Sequence, residues 1–452
     1  MRILLIWPKA RTDPEWGGDL GAIAEPLALE YLAAGVKDIC ESIKVLDLRL
    51  HPDTLHETLL EFKPDIVGVT AFSMHVRAAI QICKDTKRLL PGTATIVGGH
   101  HASLLPEDFF EPEIDHIVCG EGVKPFTNLV TCYKNGERIN KILGVWSREE
   151  GQFRFGGEQP FLDINDLPYP DRTITENDRN QYFIDWMTPV ALLRTSVGCP
   201  FRCSFCSLWK IMDGKYLKRN IDHTIEELKQ IKEDFVFLVD DEAFIDGKRM
   251  MALAEGIKEA GIRKRFFAYC RVDSLIREKE VLKKWQEVGL ERLFVGVDAF
   301  SEKDLKDYNK KYHSSRIDDA FSIAREMGIE ILAQFVVNTN YTRADFEHLI
   351  RYVKHHKIQY PTFTVLTPLP GTEMLSTFDK VIIRQPNGRP DWDYFDTQNA
   401  VMETTMPALE FRKEYRGLYK VFKASYSKFL VHKHPSQRKV VPRVLEPGNV
   451  IN

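Results

Sequence analysis

Residues 198–206 read Gly198-Cys199-Pro200-Phe201-Arg202-Cys203-Ser204-Phe205-Cys206, with three cysteines at C-x3-C-x2-C spacing directly after an apolar, strand-like stretch. A cubane iron–sulfur cluster has four irons that each require a thiolate, so three cysteines satisfy three irons and leave the fourth open for another ligand. The alternatives are three incidental thiols or a zinc site, for which no nearby Cys or His supplies a fourth ligand. The spacing favours an iron–sulfur enzyme whose open iron takes part in substrate chemistry.

Length and composition are typical of a globular enzyme with more than one domain. The chain has 452 residues, 44% hydrophobic and 28% charged, and its formal net charge of -3 gives no electrostatic case for a nucleic-acid partner. The apolar start is too short for a signal peptide, and no stretch is long enough to be an integral membrane segment. The other cysteines are scattered singly, as reduced thiols would be, so we expect a cytoplasmic protein.

The first part of the chain alternates short apolar runs with helical patterns. Strands are predicted at residues 3–7, 44–48, 66–70, 95–97 and 116–118. This alternation predicts an α/β fold with a doubly wound parallel sheet, whose ligand crevice lies beyond the carboxyl ends of the strands. Gly98-Gly99 follows the fourth strand and Gly120-Glu121-Gly122 follows the fifth, where the missing side chains let backbone approach a bulky ligand. Ordinary turn glycines are the alternative.

Strand–helix alternation resumes after residue 188. The predicted strands are residues 190–194, 235–239, 266–271, 292–297, 331–337 and 362–366. Six βα units predict a partial (β/α)6 barrel with its active residues at the carboxyl ends of the strands. Polar residues stand at those ends, in the groups Asp240-Asp241-Glu242, Arg271-Val272-Asp273, Gly296-Val297-Asp298 and Asn338.

We predict four segments: a first domain over residues 1–137, a hairpin and linker over 138–187, the barrel over 188–375, and a C-terminal helical cap with its tail over 376–452. In the cap, aromatic residues recur every three or four positions and form one helix face. Packing of this face onto the barrel is favoured, and a lid for a lipophilic substrate is the alternative. The aromatic residues are Phe411, Tyr415, Tyr419, Phe422, Tyr426 and Phe429.

The cysteine motif with its flank, Arg194-Thr195-Ser196-Val197-Gly198-Cys199-Pro200, resembles the cluster loop of the radical S-adenosylmethionine (SAM) superfamily. Residues 26–33, 67–70, 97–102 and 119–122 resemble, in order, the cobalamin-binding (Rossmann-like) domain that precedes the radical SAM domain in cobalamin-dependent members. This resemblance runs from residue 1 to about residue 375 and includes the connector Leu167-Pro168-Tyr169-Pro170. It implies a [4Fe-4S] cluster, S-adenosyl-L-methionine and cobalamin as cofactors.

The resemblance also implies site residues, although it designates no catalytic residue. For the cluster it implies the three cysteines as ligands. For SAM it implies Phe205, Asp240, Asp241, Glu242, Arg271, Asp298 and Asn338, because a cation and carboxylates suit a zwitterionic amino acid. For cobalamin it implies Thr70, Ser73, His75, Gly98, Gly99, His100, Gly120 and Glu121.

One loop departs from the family pattern. Many cobalamin domains carry Asp-x-His-x-x-Gly after the first strand, whereas residues 7–18 here contain no histidine. The resemblance therefore implies a base-off cobalamin without histidine ligation. His75, just after the third strand, is the alternative ligand, and a helix N-terminal role for this histidine is favoured.

The resemblance implies a methyltransferase of the methylase type, broadly like the hopanoid methylase group, which methylates an unactivated carbon through a 5′-deoxyadenosyl radical and methylcobalamin. The alternatives are a non-methylating radical enzyme, such as an oxidative cyclase of the anaerobic porphyrin cyclase type, and a cobalamin-based sensor. The implied partners are a small-molecule substrate and a low-potential electron donor, flavodoxin or ferredoxin. The sequence does not identify the substrate.

Overall fold

A computed structural model describes residues 1–10, 22–139 and 141–430, and within these all side chains except those of residues 376–379 and 423–430. A seven-stranded sheet forms the N-terminal part, in the order β3-β1-β4-β5-β6-β7-β8. Its strands are β1 (Arg2–Trp7), β3 (Ser42–Asp47), β4 (Ile66–Thr70), β5 (Ala94–Gly98), β6 (His116–Val118), β7 (Val145–Glu149) and β8 (Gln152–Phe155).

The first five strands of this sheet are parallel, which confirms the doubly wound prediction. Their apolar residues are buried because helices cover both faces. These helices are α1 (Leu27–Val36), α2 (Leu55–Phe62), α3 (Val76–Leu89), α4 (His100–Leu104) and α5 (Val123–Asn135). The predicted hairpin forms as β7 and β8, and β7 extends the sheet by pairing antiparallel with β6, which the sequence pattern did not indicate.

The second sheet has six parallel strands in the order β10-β13-β14-β15-β16-β17. The order follows the chain, and no pairing between β10 and β17 occurs among the described residues, so the predicted partial barrel is confirmed. The strands are β10 (Val190–Leu193), β13 (Phe235–Leu238), β14 (Arg265–Arg271), β15 (Leu290–Asp298), β16 (Glu330–Val337) and β17 (Tyr360–Val365).

Helices alternate with the barrel strands. They are α6 (Leu208–Ile211), α7 (Ile221–Gln230), α8 (Gly247–Glu259), α9 (Val272–Arg277), α10 (Lys279–Glu287), α11 (Glu302–Asp307), α12 (Ser315–Glu326) and α13 (Arg343–His355). Two short antiparallel pairs complete the described strands: β2 (Ala22–Ile23) with β9 (Phe183–Ile184), and β11 (Ser196–Val197) with β12 (Leu217–Lys218). The β2–β9 pair joins the N-terminal part to the chain that leads into the barrel.

The C-terminal helix α14 (Ala408–Leu430) packs on the last barrel strand. The hydroxyls of Tyr415 and Tyr419 both donate to the Phe363 carbonyl, at 2.9 and 2.6 Å, and Phe411 is buried. Packing onto the barrel is thus confirmed for this part of the helix. The side chains of Tyr426 and Phe429 and the tail at 432–452 lie outside the described residues. Within the described part of the chain, no helix combines the length and the hydropathy that crossing a bilayer requires.

Buried charges join the two sheets. The Arg179 guanidinium pairs with Glu25 from the N-terminal part and with Glu233 from the barrel side. Arg172 donates to Glu227 at 2.7 Å, and all five side chains are mostly or fully buried. Removing one partner from such a network leaves a buried charge unpaired, which is strongly destabilising. The network therefore fixes how the two sheets sit against each other.

Glu30 belongs to the same network and gives it a predicted pH dependence. Burial and the neighbouring Glu25 raise the pKa of Glu30 to about 8, against the lowering effect of Arg172 and Arg179. The native state therefore holds a proton that the unfolded chain has already lost, so stability falls as the pH rises from the ordinary carboxyl pKa toward about 8. We expect Glu30→Gln, which keeps the neutral shape, to lose less thermal stability than the wild type between about pH 6 and about pH 9.

Thermal unfolding followed by circular dichroism at both pH values measures this difference. Glu57→Gln, an exposed carboxylate of the N-terminal part, serves as the matched control and should follow the wild type. An equal loss of stability in Glu30→Gln and wild type would show that Glu30 is already ionised in the native state.

Candidate active site between the two sheets

The cysteine loop leaves β10 and β11 through a glycine that no other residue can replace. Gly198 has a φ of +90°, and a Cβ at this position would collide with the Lys215 carbonyl oxygen. The Gly198 amide donates to the Asp241 carboxylate at 2.8 Å. Backbone conformation and this hydrogen bond together set the direction in which Cys199 enters the loop.

Cys199, Cys203 and Cys206 lie on one short loop, with Cys203 buried and the other two half-buried. Burial raises the pKa of Cys199 to about 12 and that of Cys206 to about 11, so both thiols keep their protons until a cation replaces them. Among the described residues, no three His, Cys, Asp or Glu side chains lie close enough to share one metal ion. A cubane does not require the three thiols to share one ion, because each cysteine binds a different iron.

Two buried cations stand beside the cysteine loop. The Arg271 Nη1 lies 3.5 Å from the Cys203 sulfur, and the guanidinium carbon lies 3.8 Å from the centre of the Phe201 ring. Lys310, which the sequence analysis did not single out, is buried and pairs with Asp298. Burial alone would lower the pKa of Lys310, but Asp298 overrides this and raises it, so the lysine stays charged. Thiol donors with buried positive charge around them suit an anionic thiolate cluster.

The acidic row after β13, Asp240-Asp241-Glu242, forms hydrogen bonds to the loops of the site. Asp240 accepts hydrogen bonds from the hydroxyls of Thr195 and Ser196, and it is fully buried. Glu242 accepts from the Arg271 amide at 2.7 Å. Burial raises the pKa of Glu242 to about 7 and also raises that of Asp240. The structure brings this row to the cysteine loop, and the hydrogen bonds of its carboxylates go to protein groups. SAM binding by these residues stays a prediction.

The other predicted SAM residues also gather near the loop. Phe205 packs edge-on against Tyr308, with ring centres 5.3 Å apart. Asp298 adopts a φ of +61° at the end of β15, where Lys310 holds its carboxylate. Asn338, at the end of β16, lines a separate opening that also includes Ser204 of the cysteine loop. Their roles as SAM ligands remain predictions.

A cavity of about 350 Å³ opens at the carboxyl edge of the first sheet and reaches residues that flank the cysteine loop. Six of the eight predicted cobalamin residues line it, whereas Ser73 and His75 do not. From the barrel side it is lined by Arg194, Val197, Ile211 and Met212. The six are Thr70, Gly98, Gly99, His100, Gly120 and Glu121.

Ser73 and His75 are engaged within the first domain instead. His75 is buried, and its Nδ1 accepts the Phe72 amide at 3.4 Å at the start of helix α3, which is the favoured helix N-terminal role. Burial lowers the pKa of His75 to about 4. Ser73 contacts the His101 ring at 3.0 Å. The loop expected to lack a cobalt ligand lies mainly outside the described residues, at 11–21.

Sequence reasoning missed several cavity residues. Phe72 remains 41% exposed within the cavity wall and stacks on His100, with ring centres 5.7 Å apart. Arg194 pairs with Glu121 at 3.4 Å, and its guanidinium lies over the ring of Tyr31 at 4.6 Å. Arg194 stands in the quoted cysteine motif, but only the three-dimensional structure shows that it bridges to the first domain.

Two glycines with positive φ shape the edge of this cavity. Gly99 has a φ of +102°, and a Cβ there would lie 2.8 Å from both the Ala71 amide nitrogen and the Thr70 hydroxyl oxygen. Gly120 has a φ of +78° at the next strand. A side chain at Gly99 would collide with these protein atoms, so the backbone stays bare where it borders the cavity.

Comparison with known proteins agrees with these features. Residues 17–130 match the model of the B12 binding domain, and residues 193–353 match that of the Radical SAM superfamily. The chain is 32% identical to the hopanoid C-3 methylase of Methylococcus capsulatus, over 90% of this chain and 77% of that protein. It is 27% identical to the anaerobic magnesium-protoporphyrin IX monomethyl ester cyclase of Cereibacter sphaeroides, over 83% of this chain and 63% of that protein.

The fold also resembles a solved structure. The radical S-adenosylmethionine methyltransferase TsrM from Kitasatospora setae, determined with cobalamin and a [4Fe-4S] cluster bound, superposes with a TM-score of 0.69 at 17% identity. The match covers 93% of this chain and 90% of that one. At this identity the likeness concerns the fold, including the relative arrangement of both domains.

Proposed function

Since the chain belongs to the cobalamin-dependent radical SAM methyltransferases, we propose that it methylates an unactivated carbon of a lipophilic small molecule. The observation that carries the proposal is the shared cavity, in which the glycine edge of the first sheet faces Arg194 and Met212 beside the cysteine loop. A methyl donor and a radical source held there would meet one substrate carbon. The similarity to a hopanoid methylase supports the lipophilic class.

We assign the binding roles as follows. Cys199, Cys203 and Cys206 hold the [4Fe-4S] cluster, the residues around Arg271 hold SAM, and the glycine edge at Gly99 holds cobalamin. When bound, these groups supply a carbon-centred radical from SAM and a transferable methyl group, chemistry that protein side chains lack.

The chain itself orients and shields the reacting groups. Arg271 and Lys310 offset negative charge at the cysteine loop, and Asp241 sets the entry of that loop. The turn after β17 closes one side, because a Cβ on Gly371 would lie 2.9 Å from Leu104 of helix α4. This contact between the barrel and the first domain keeps water away from a reactive intermediate.

Two finer assignments complete the proposal. We place the enzyme in the cytoplasm, where its cysteines stay reduced. Its electrons come from a low-potential carrier, flavodoxin or ferredoxin, since the family chemistry requires single electrons.

Turnover products test the function. With SAM that carries a deuterated methyl group, a low-potential reductant and a lipid extract of cells lacking the enzyme, we expect a product that has gained the deuterated methyl group. S-adenosylhomocysteine and 5′-deoxyadenosine should form in about equal amounts, because one SAM gives its methyl group and a second removes the hydrogen. Mass spectrometry of extract and nucleosides measures all three.

The outcome distinguishes the candidate functions. A cyclase, favoured as the second candidate by the 27% identical relative, would yield deoxyadenosine and product without matching S-adenosylhomocysteine. A cobalamin sensor would yield neither nucleoside. Cys199→Ala serves as the inactive control. A product without the deuterated methyl group would refute methylation and leave the cofactor assignments standing.

A further inference from the structure

We propose that an exposed basic surface around Trp209 docks an acidic electron-carrier protein, which delivers single electrons to the cluster. This Trp209 patch consists of Arg202, Trp209, Lys210 and Lys215. The inference rests on the proposed function, because it requires a cluster on the cysteine loop. It adds to that function the place where the electron enters.

The Trp209 patch touches the cysteine loop directly. Helix α6 begins two residues after Cys206, and the indole Nε1 of Trp209 donates to the Cys203 carbonyl at 3.2 Å. Trp209 is itself half-buried, so part of the residue is reachable from solvent. A partner seated on this ring would be one hydrogen bond away from the backbone of a proposed cluster ligand.

Positive charge surrounds the indole. The Arg202 guanidinium carbon lies 5.2 Å and the Lys210 Nζ 4.4 Å from the Trp209 ring centre, and Lys215 Nζ lies 3.8 Å from the Phe161 ring centre. All three cations are exposed. Aromatic contacts hold them in place without neutralising their charge.

The Trp209 patch carries more positive than negative charge. Within the described part of the chain, none of its three cations forms an ion pair, although the whole protein has a net charge of -3. Asp213 lies on the same turn and also forms no ion pair there. A local excess of positive charge remains. Such a field attracts an acidic partner and speeds its encounter by about tenfold to a thousandfold.

The position beside the cysteine loop selects the kind of acidic partner. An anionic protein docked there serves the enzyme if it carries a one-electron centre. In each encounter the reduced carrier loses one electron and the cluster gains it, so the charge change balances without a proton or a leaving group. Lipid or nucleic acid would bring negative charge without an electron.

The test measures how fast the reconstituted cluster is reduced. The full-length enzyme is mixed anaerobically with flavodoxin hydroquinone in a stopped-flow instrument, and the cluster absorbance is followed at low and high salt. The double variant Arg202→Glu/Lys210→Glu should react at least about tenfold more slowly with flavodoxin at low salt, and the rate should lose most of its salt dependence. Dithionite, a small reductant that needs no docking, should reduce the variant as fast as the wild type.

Control variants distinguish the loss of carrier docking from general damage to the protein. Arg202→Gln/Lys210→Gln removes charge without reversing it and should show an intermediate rate. Lys37→Glu, an exposed lysine of the first domain, should react like the wild type. Equal flavodoxin rates in the double variant and wild type, or an equal slowing with dithionite, would overturn the proposal. Failure of the proposed function would appear differently, as deoxyadenosine without methylated product while the flavodoxin effect persists.

Discussion

Replacing Cys199, Cys203 and Cys206 together by Ala is expected to abolish the absorbance of the reconstituted [4Fe-4S] cluster and to leave cobalamin binding nearly unchanged. The three thiols are the proposed protein ligands of the cluster, and none of them lines the cavity at the glycine edge. The two cofactors therefore depend on separate parts of the fold. Iron and sulfide analysis together with an absorbance titration of cobalamin measures both properties on one sample.

A control variant removes cysteines that lie outside the cysteine loop. Cys40→Ala/Cys132→Ala removes two partly exposed cysteines of the first domain, and this variant should keep both the cluster and the cobalamin. A triple variant that still assembles a full cluster would refute the assignment of the three ligands. Loss of cobalamin binding in the same triple variant would instead show that the cysteine loop and the cavity fold as one unit.

Local sequence patterns were sufficient for the parallel strands of both sheets. The strand at 66–70 was predicted from a short apolar run between two helical patterns, and the structure has β4 over the same residues. The cluster spacing is likewise local, since three cysteines on one short loop can be recognised without any partner. Periodicity and spacing report what lies within a few residues.

Contacts between residues far apart in the chain could not be predicted from local sequence patterns. Glu25 and Arg179 pair although 154 positions separate them, and nothing near Lys310 indicates that Asp298 will hold it. The carboxylates of Asp240 and Glu242 illustrate the same limit: a polar strand end indicates a site, but the direction of each side chain depends on the loops that it meets. Ser73 and His75 follow the correct strand, yet they do not line the cavity, and hydrogen bonds with His101 and Phe72 engage them instead.

Gly99 provides the sharpest test of the cavity. Its φ of +102° and ψ of -168° suit glycine, and the Cβ of Gly99→Ala would lie 2.8 Å from the Ala71 amide nitrogen, a group that already donates to the Gly98 carbonyl. The loops after β4 and β5 must therefore move apart, and they form the floor of the cavity. We expect cobalamin affinity to fall at least about tenfold, with cluster assembly unchanged.

Gly136→Ala is the matched control, because this residue also has a positive φ, +64°, but no atoms within 4 Å of the added Cβ. Its backbone strain should lower thermal stability by about 1 kcal/mol and leave cobalamin affinity at the wild-type value. Wild-type affinity in Gly99→Ala would show that cobalamin binds somewhere other than the glycine edge.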